Sequence, residues 1–315
     1  MAEPSYIKLY ENGDLRHRVQ KAMAILEDCR LCPRACGINR SQGETGYCKT
    51  GRYAKVAGCD AHFGEEAPLV GKNGSGTLFL SSCNLLCTFC QNDDISHLNK
   101  GTEVNPDQMA AMMVQLSRKG CHNINFVTPT HVVPQILEAL VPAIEQGLRI
   151  PLVYNAGGYE SVETLALLEG IFDIYMPDFK FWDNTFAQRF CNVPDYREKA
   201  IAGVKEMYRQ VGDLVTGPDG LAVSGLLVRH LVMPSQVAGT EQVMDFLSNE
   251  ISSNTYVNLM DQYRPCGAAG SDPLVDRMIT AEEFQQALKG AEKAGLKRLD
   301  ERRLPKGILR MVFGQ

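Results

Sequence analysis

Long hydrophobic runs are missing from this sequence. No segment approaches the roughly 18 consecutive apolar residues of a membrane-spanning helix. Residues 1–20 contain charges such as Lys8, Glu11 and Arg16 instead of the apolar core of a secretory signal. We therefore expect a cytoplasmic protein without a membrane partner.

An excess of positive charge is also missing. The 315 residues include 32 Lys and Arg against 37 Asp and Glu, a formal net charge of -5, and no Lys/Arg run stands out. Because proteins that bind a nucleic-acid backbone carry a basic surface, we expect no nucleic-acid partner. With 44% hydrophobic and 22% charged residues, the composition fits a globular fold with a large core.

Cysteine, in contrast, is abundant, with 11 residues. In a cytoplasmic chain of this length, this number indicates metal binding or redox chemistry more than disulfides. Cys83, Cys87 and Cys90 have C-x3-C-x2-C spacing directly after a short apolar run. Three thiolates on one loop can bind three irons of a [4Fe-4S] cluster and leave the fourth iron open, whereas a structural zinc usually needs a fourth ligand nearby.

A second group of cysteines lies nearer the N terminus. The spacing C-x2-C-x3-C-x11-C fits either a tetrahedral zinc site or a second iron-sulfur cluster, because both accept four thiolates. Residues 1–70 show no long periodic stretch, so we expect a small cysteine-rich lobe held by this metal, followed by a larger domain over 71–315. The four cysteines are Cys29, Cys32, Cys36 and Cys48.

From Gly76 onward, short apolar runs alternate with amphipathic helical patterns, which predicts repeated β-α units and a parallel sheet. The predicted strands are 77–81, 123–127, 152–155, 171–176, 225–232 and 256–259. The predicted helices are 107–119, 134–146, 161–168, 184–210, 239–249 and 281–294. Six such units predict an α/β fold with a partial (β/α)6 barrel, although a doubly wound sheet can have the same strand count.

Polar residues follow the predicted strands, where a parallel barrel places its functional groups. Asp178 and Lys180 share a face of an extended segment and could form a site or only a buried ion pair. Arg229 and the histidine after it are consecutive on a strand, so one of them points into the barrel. Glu65 and Glu66 could contact a ligand or be solvated.

The cysteine triplet, with Phe89 before its last member, resembles the radical S-adenosylmethionine (SAM) superfamily. The resemblance implies that the open iron binds the amino and carboxylate groups of SAM, and that electron transfer from the reduced cluster gives a 5'-deoxyadenosyl radical that abstracts a hydrogen atom. The chain also resembles the pyruvate formate-lyase activating enzyme-like branch, specifically its uncharacterised homologues with an N-terminal cysteine motif. The motifs that carry this second resemblance are CRLCPRAC (29–36), HFGEE (62–66), GSGT (74–77), CTFCQN (87–92), VTPTH (127–131), YMPDFK (175–180) and RHLVMP (229–234).

The resemblance also implies roles for strand-end residues. Many radical SAM proteins bind the SAM amino group with a Gly-Gly-Glu-type turn after the second strand, but this chain has Thr128, Pro129, Thr130 and His131 there. The hydroxyls or His131 could replace that turn, or Pro129 could simply make it rigid. We assign a catalytic role to His131 and to Cys266, whose thiol could relay hydrogen or be inert. Cofactor binding is assigned to Thr128, Thr130, Asn155, Gly157, Asp178 and Arg229.

The leading hypothesis is an oxidoreductase-type radical SAM enzyme that abstracts hydrogen from a protein or peptide, with a flavodoxin- or ferredoxin-type electron donor. A second hypothesis is a radical SAM enzyme with the same chemistry whose substrate is a small metabolite. A third is an iron-sulfur electron carrier without catalytic activity.

Overall fold

The structure is a computed structural model that describes residues 3–300. Its strands are β1 (Ala54–His62), β2 (Ser75–Leu80), β3 (Thr102–Val104), β4 (Ile124–Val127), β5 (Leu152–Ala156), β6 (Ile174–Pro177), β7 (Val215–Thr216), β8 (Ala222–Leu231), β9 (Tyr256–Met260) and β10 (Arg298–Leu299). Its α-helices are α1 (Tyr6–Glu11), α2 (Asp14–Ala24), α3 (Ala67–Val70), α4 (Asp93–Ser96), α5 (Pro106–Arg118), α6 (Val133–Glu145), α7 (Val162–Leu167), α8 (Asn184–Cys191), α9 (Tyr196–Val211), α10 (Thr240–Phe246) and α11 (Ala281–Ala294).

The strands form one sheet in the order β10-β9-β8-β6-β5-β4-β2-β1-β3, with β7 paired to β8. All neighbours from β10 to β2 are parallel, and β1, β3 and β7 are antiparallel to their partners. The sheet has two ends within residues 3–300 and therefore does not close. The prediction of six β-α units and a partial barrel is confirmed, because β2, β4, β5, β6, β8 and β9 correspond to the six predicted strands.

Predicted helix starts agree with side-chain caps. Asn105 caps α5 with a reciprocal hydrogen bond from Gln108, and Thr280 and Glu283 form the same capping box at α11. The prediction of one helix over 184–210 is wrong, because α8 ends at Asn192 in the left-handed conformation (φ 51°). The segment before α9 also contains Pro194, which has no amide hydrogen to continue a helix.

The N-terminal segment contains regular structure that the sequence did not predict. Helix α1 is attached to the end of the sheet where the parallel strands begin: the Tyr6 hydroxyl donates to the Ile150 carbonyl (2.9 Å), and Ser5 donates to Asp173. Helix α2 packs against α6. Strand β1 pairs along β2, so much of residues 3–70 packs on the sheet; the division of the chain at residue 70 stays a prediction.

Inward-facing side chains fill the lower part of the partial barrel. Val153, Ile174, Met176 and Leu227 form an apolar cluster, and Leu69 of α3 packs into it. Helix α3 thus closes the floor beneath the carboxyl ends of the strands. No helix among the described residues combines the length and the apolar character needed to cross a lipid bilayer.

Candidate functional site

A cavity of about 370 Å³ lies at the carboxyl ends of the parallel strands. This volume is at the lower end of the range for small-molecule sites. Its wall combines the cysteine loop after β2 with strand-end residues from across the sheet. The predicted site residues that line it are Cys83, Cys87, Cys90, Thr128, Asn155, Gly157, Asp178 and Arg229, together with Glu65 and Lys180.

Left-handed residues and aromatic contacts hold the cysteine loop in one conformation. Ser82 (φ 76°) and Leu86 (φ 54°) adopt left-handed backbone conformations that are uncommon for residues with a side chain. The ring of Phe89 packs edge-on against Phe181 and Phe190, with centroids 5.8 and 6.3 Å away. These contacts anchor the loop to the barrel wall and leave its thiols facing the cavity.

All three thiols have raised pKa values; Cys87 is buried, and Cys83 and Cys90 are partly buried. Burial raises the pKa of Cys83 to about 12 and also raises that of Cys90. The pKa of Cys87 is raised by its hydrogen bond with the Cys191 thiol, whose Sγ lies 3.2 Å from Cys87 Sγ, and by burial. Such thiols become thiolates when a metal binds them. The contact with Cys191 was not predicted, because no sequence spacing relates α8 to the cysteine loop.

An ion network lies in the wall of the same cavity. Asp178 Oδ1 accepts from Arg229 Nε (2.8 Å) and Oδ2 from Lys180 Nζ (2.5 Å). A parallel bridge between residues 178 and 229 sets this geometry. Burial would raise the pKa of Asp178, but Arg229 and Lys180 outweigh it and lower that pKa to about 2. Of the two residues considered on β8, Arg229 faces the cavity, and His230 instead bonds Phe179 O and Thr240.

The acidic pair before β2 is buried, so the solvated alternative is wrong. Glu65 faces His62 (3.2 Å) and Arg229 (3.9 Å), and Glu66 accepts from the Asn258 side chain (2.6 Å). Burial raises the pKa of Glu65, with Arg229 and His62 opposing the rise. The turn before α3 therefore places a carboxyl group in the cavity wall.

The turn after β4 is split between two environments. Thr128, a β-branched residue with φ 62°, lines the cavity, and its amide donates to Asn155 O (2.8 Å). Such a conformation is strained and is typical of functional sites. Thr130 instead donates to the buried Glu160 (2.7 Å). His131 lies behind the cavity wall, where its Nε2 bonds Ser81 O (2.8 Å) and burial lowers its pKa to about 4.

Two further predicted residues have distinct positions. A Cβ added to Gly157 would lie 2.8 Å from Leu85 of the cysteine loop, so glycine is needed where that loop crosses the end of β5. Cys266 does not line the cavity formed by the described residues. It lies in a loop whose Ala268 amide donates to Thr88 O (2.9 Å) of the cysteine loop.

The four N-terminal cysteines lie around a second, smaller cavity. We call Cys29, Cys32, Cys36 and Cys48 the N-terminal cysteine group, and Cys83, Cys87 and Cys90 the cysteine triad. The second cavity is also lined by Arg34, Arg40, Asn84 and His131. Because Asn84 follows Cys83 directly, the two cavities share the wall formed by the cysteine loop.

Comparisons with known proteins identify the family of the chain. Residues 77–221 match the family model of the radical SAM superfamily. This chain is a radical SAM protein. It is 34% identical over 289 residues to the uncharacterized protein MJ0674 of Methanocaldococcus jannaschii, which covers 89% of this chain and 78% of the relative.

Two solved structures are similar at low identity. A domain of the pyruvate-formate lyase-activating enzyme from Bacteroides vulgatus is 15% identical, with a TM-score of 0.36, over 62% of this chain and 90% of that domain. HydG, a maturase of the [FeFe]-hydrogenase, is 13% identical, with a TM-score of 0.48, over 75% of this chain and 54% of HydG.

Radical SAM proteins generally bind a [4Fe-4S] cluster and SAM, and the residues of this cavity fit both. Within residues 3–300, no three His, Cys, Asp or Glu side chains are arranged to share one metal ion. A cubane does not require this, because each thiolate binds its own iron. Below the cavity, neither amide atom of the buried Asn125 has a hydrogen-bond partner in the described chain. The triad would hold the cluster, and Thr128, Asn155, Gly157 and Arg229 would contact SAM.

Glu160, which the sequence did not single out, has a pKa raised to about 7 by burial, although hydrogen bonds from Thr130 and Tyr154 lower it. A carboxyl group with a raised folded-state pKa loses stabilising free energy as the pH rises from its ordinary value, near 4.3, to 7. Glu160→Gln mimics the protonated group. As the pH rises from about 5 to about 8, we expect the free energy of unfolding of this variant to increase by roughly 2 kcal/mol relative to that of wild type. Urea unfolding at each pH measures this difference. The exposed Glu163→Gln is the control, and a pH-independent difference would contradict the prediction.

Proposed function

We propose that this radical SAM protein cleaves SAM reductively and abstracts a hydrogen atom from a protein or peptide. When bound, the cluster and SAM supply a 5'-deoxyadenosyl radical. The observation that carries the proposal is that all three thiols of the triad face one cavity at the carboxyl ends of the strands, together with polar residues from β4, β5, β6 and β8.

The chain's own residues would bind the cofactor and position it. Arg229 is fixed by Asp178 and offers further N–H donors to a carboxylate. The backbone near Gly157 and the strained turn at Thr128 border the same cavity. Thr130, His131 and Cys266 are not included in this proposal, because the structure places their side chains away from the cavity wall.

A protein or peptide substrate is consistent with the size of the cavity. A volume of about 370 Å³ suits one ligand of the size of SAM. A hydrogen donor that approaches from outside, such as a peptide segment, then needs no additional cavity. The motif resemblance to activating enzymes supports the same substrate class, and a flavodoxin or ferredoxin would supply the electron.

The first experiment tests SAM cleavage. After anaerobic reconstitution with iron and sulfide, the full chain is incubated with dithionite and SAM, and 5'-deoxyadenosine is quantified. We expect product and a SAM-dependent change in the electron paramagnetic resonance spectrum of the reduced cluster. A cluster that gives no product and whose spectrum ignores SAM would replace the proposal with the electron-carrier hypothesis.

The second experiment identifies the substrate class. An extract of cells grown in deuterated medium is separated by ultrafiltration into macromolecules and small molecules, and each fraction is added to the assay. We expect deuterium in 5'-deoxyadenosine with the macromolecular fraction. Deuterium transfer from the small-molecule fraction alone would contradict the protein substrate and favour a metabolite. The matched control is the Cys83→Ala variant, which should give no product with either fraction.

A further inference from the structure

We infer that Cys191 is a positioning residue of the cluster site: its thiol donates a hydrogen bond to the sulfur of Cys87 and thereby raises the reduction potential of the cluster. The inference rests on the proposed binding of a cluster by the triad, and it does not depend on which substrate is attacked. Cys191 lies outside the C-x3-C-x2-C motif.

The sulfur atoms of the two cysteines are in direct contact. Cys191 Sγ lies 3.2 Å from Cys87 Sγ, and both side chains are buried, so solvent competes little for the hydrogen bond between them. A cysteine that binds iron is a thiolate, and a thiolate only accepts. In the protein with its cluster, the proton of this hydrogen bond therefore belongs to Cys191.

The backbone next to each cysteine holds this contact in place. Thr88, directly after Cys87, donates its amide to the carbonyl of Phe190, directly before Cys191 (2.8 Å). Because α8 ends at Cys191, its last carbonyls have no partner within the helix and are open to such bonds. The Phe190 ring also packs edge-on against Phe89, with centroids 6.3 Å apart. The end of α8 is thus attached to the cysteine loop.

Arg34 makes a second attachment between the same two segments. Its guanidinium donates to the carbonyl oxygens of Asn84 (3.0 Å), Cys191 (3.0 Å) and Asn192 (2.7 Å). The Tyr47 ring lies 3.6 Å from the guanidinium carbon and covers it. Since Asn84 is in the cysteine loop and the other two carbonyls are at the end of α8, one side chain connects them. Lysine, with a single nitrogen, lacks the planar fork that this arrangement uses.

A hydrogen bond to the Cys87 sulfur favours the reduced state of the cluster. Reduction adds one electron, whose charge is shared with the sulfur atoms, and hydrogen bonds to these atoms are one of the factors that set the potential of an iron-sulfur cluster. A donor interacts more strongly with a sulfur of higher negative charge. The Cys191 thiol therefore raises the potential and eases the electron transfer on which SAM cleavage depends.

The test compares Cys191→Ala, which removes the donor, with Cys191→Ser, whose hydroxyl keeps one. The full chain of each is reconstituted anaerobically with iron and sulfide, and the reduced cluster is quantified by electron paramagnetic resonance at set potentials without SAM. At the midpoint potential of wild type, we expect the ratio of reduced to oxidised cluster to fall at least about threefold in Cys191→Ala. It should stay close to the wild-type ratio in Cys191→Ser and in the control Cys121→Ala, a buried cysteine elsewhere in the fold.

Iron content distinguishes a hydrogen-bond donor from an iron ligand. We expect Cys191→Ala to retain the iron content of wild type. Loss of iron would show that Cys191 binds the cluster itself and would overturn the inference. Equal potentials of wild type and Cys191→Ala would also overturn it while leaving SAM cleavage in place, whereas a wild-type chain that assembles no cluster would overturn the inference and the proposed function together.

The variant Arg34→Lys tests whether Arg34 acts through Cys191. The change keeps the positive charge but cannot bridge three carbonyls. We expect it to lower the reduced fraction in the wild-type background and to have no further effect in the Cys191→Ala background. The matched control is Arg30→Lys, an exposed arginine of the same segment that pairs with Asp28. An equal effect of Arg34→Lys in both backgrounds would refute this role of Arg34.

Discussion

Replacing Cys83 by alanine is expected to abolish 5'-deoxyadenosine formation, reducing it to the level without enzyme. Its thiol lies at the cavity wall, and with the other two it leaves one iron of a cubane open. With only two triad thiolates left, the iron bound by the triad should fall from about four per chain to near zero. Product formation is measured by chromatography after anaerobic reconstitution, and iron is measured on the same sample.

The matched control is Cys121→Ala, a buried cysteine just before β4, at the opposite end of the strands from the cavity, which should retain full activity. Cys87→Ala provides an internal comparison. Because Cys191 Sγ lies 3.2 Å from Cys87 Sγ, we expect Cys191 to replace the lost ligand in part. The double variant Cys87→Ala/Cys191→Ala should then be as inactive as Cys83→Ala. Wild-type product yield from Cys83→Ala would refute the role of the triad.

Replacing Asp178 by asparagine is expected to destabilise the protein by roughly 2–4 kcal/mol at neutral pH. The change leaves Arg229 and Lys180 side by side without their shared carboxylate, which accepts from them at 2.8 and 2.5 Å. The lower part of the range for a broken buried pair applies, because the cavity admits water. The loss is measured by urea unfolding, with the exposed Asp245→Asn as control.

The same group gives a signed pH dependence. The pKa of Asp178 is lowered to about 2, below its ordinary value near 4, so its contribution is complete above about pH 4 and is lost as the pH falls towards 2. As the pH falls from about 4 to 2, the free energy of unfolding of wild type should therefore decrease by about 2 kcal/mol more than that of Asp178→Asn. Equal losses in the two proteins would show that the ion network does not stabilise the fold.

The six parallel strands and most of the helices were predictable because each depends on a local pattern. A buried strand needs a short apolar run, and a capped helix start needs only residues such as Thr280 and Glu283 at the right spacing. The break at Asn192 was missed because the apolar pattern continues across it. Strand β1 was missed because its partner, β2, and not its own pattern, makes it a strand.

The part of the candidate site that was predictable consists of residues whose positions along the chain already place them near one another. The triad lies on one loop, and strand ends meet at one edge of a parallel sheet, so the sequence could place Asn155, Gly157 and Arg229 near the triad, where they line the cavity. The direction of a side chain in a turn depends on backbone conformation instead. Thr128 and Thr130 are two residues apart, yet Thr128 borders the cavity and Thr130 donates to Glu160. The left-handed conformation of Thr128 (φ 62°) changes the direction of the chain between them.

The sequence by itself determined the class of chemistry, because three cysteines at C-x3-C-x2-C spacing lie within eight residues and are therefore close together on one loop. The tertiary structure decided which distant groups join them. It placed Cys191 beside Cys87, buried Glu65 against Arg229, and turned His131 from the first cavity to the second. These contacts come from elements far apart in the chain, and only the packing of those elements against the sheet brings them within bonding distance.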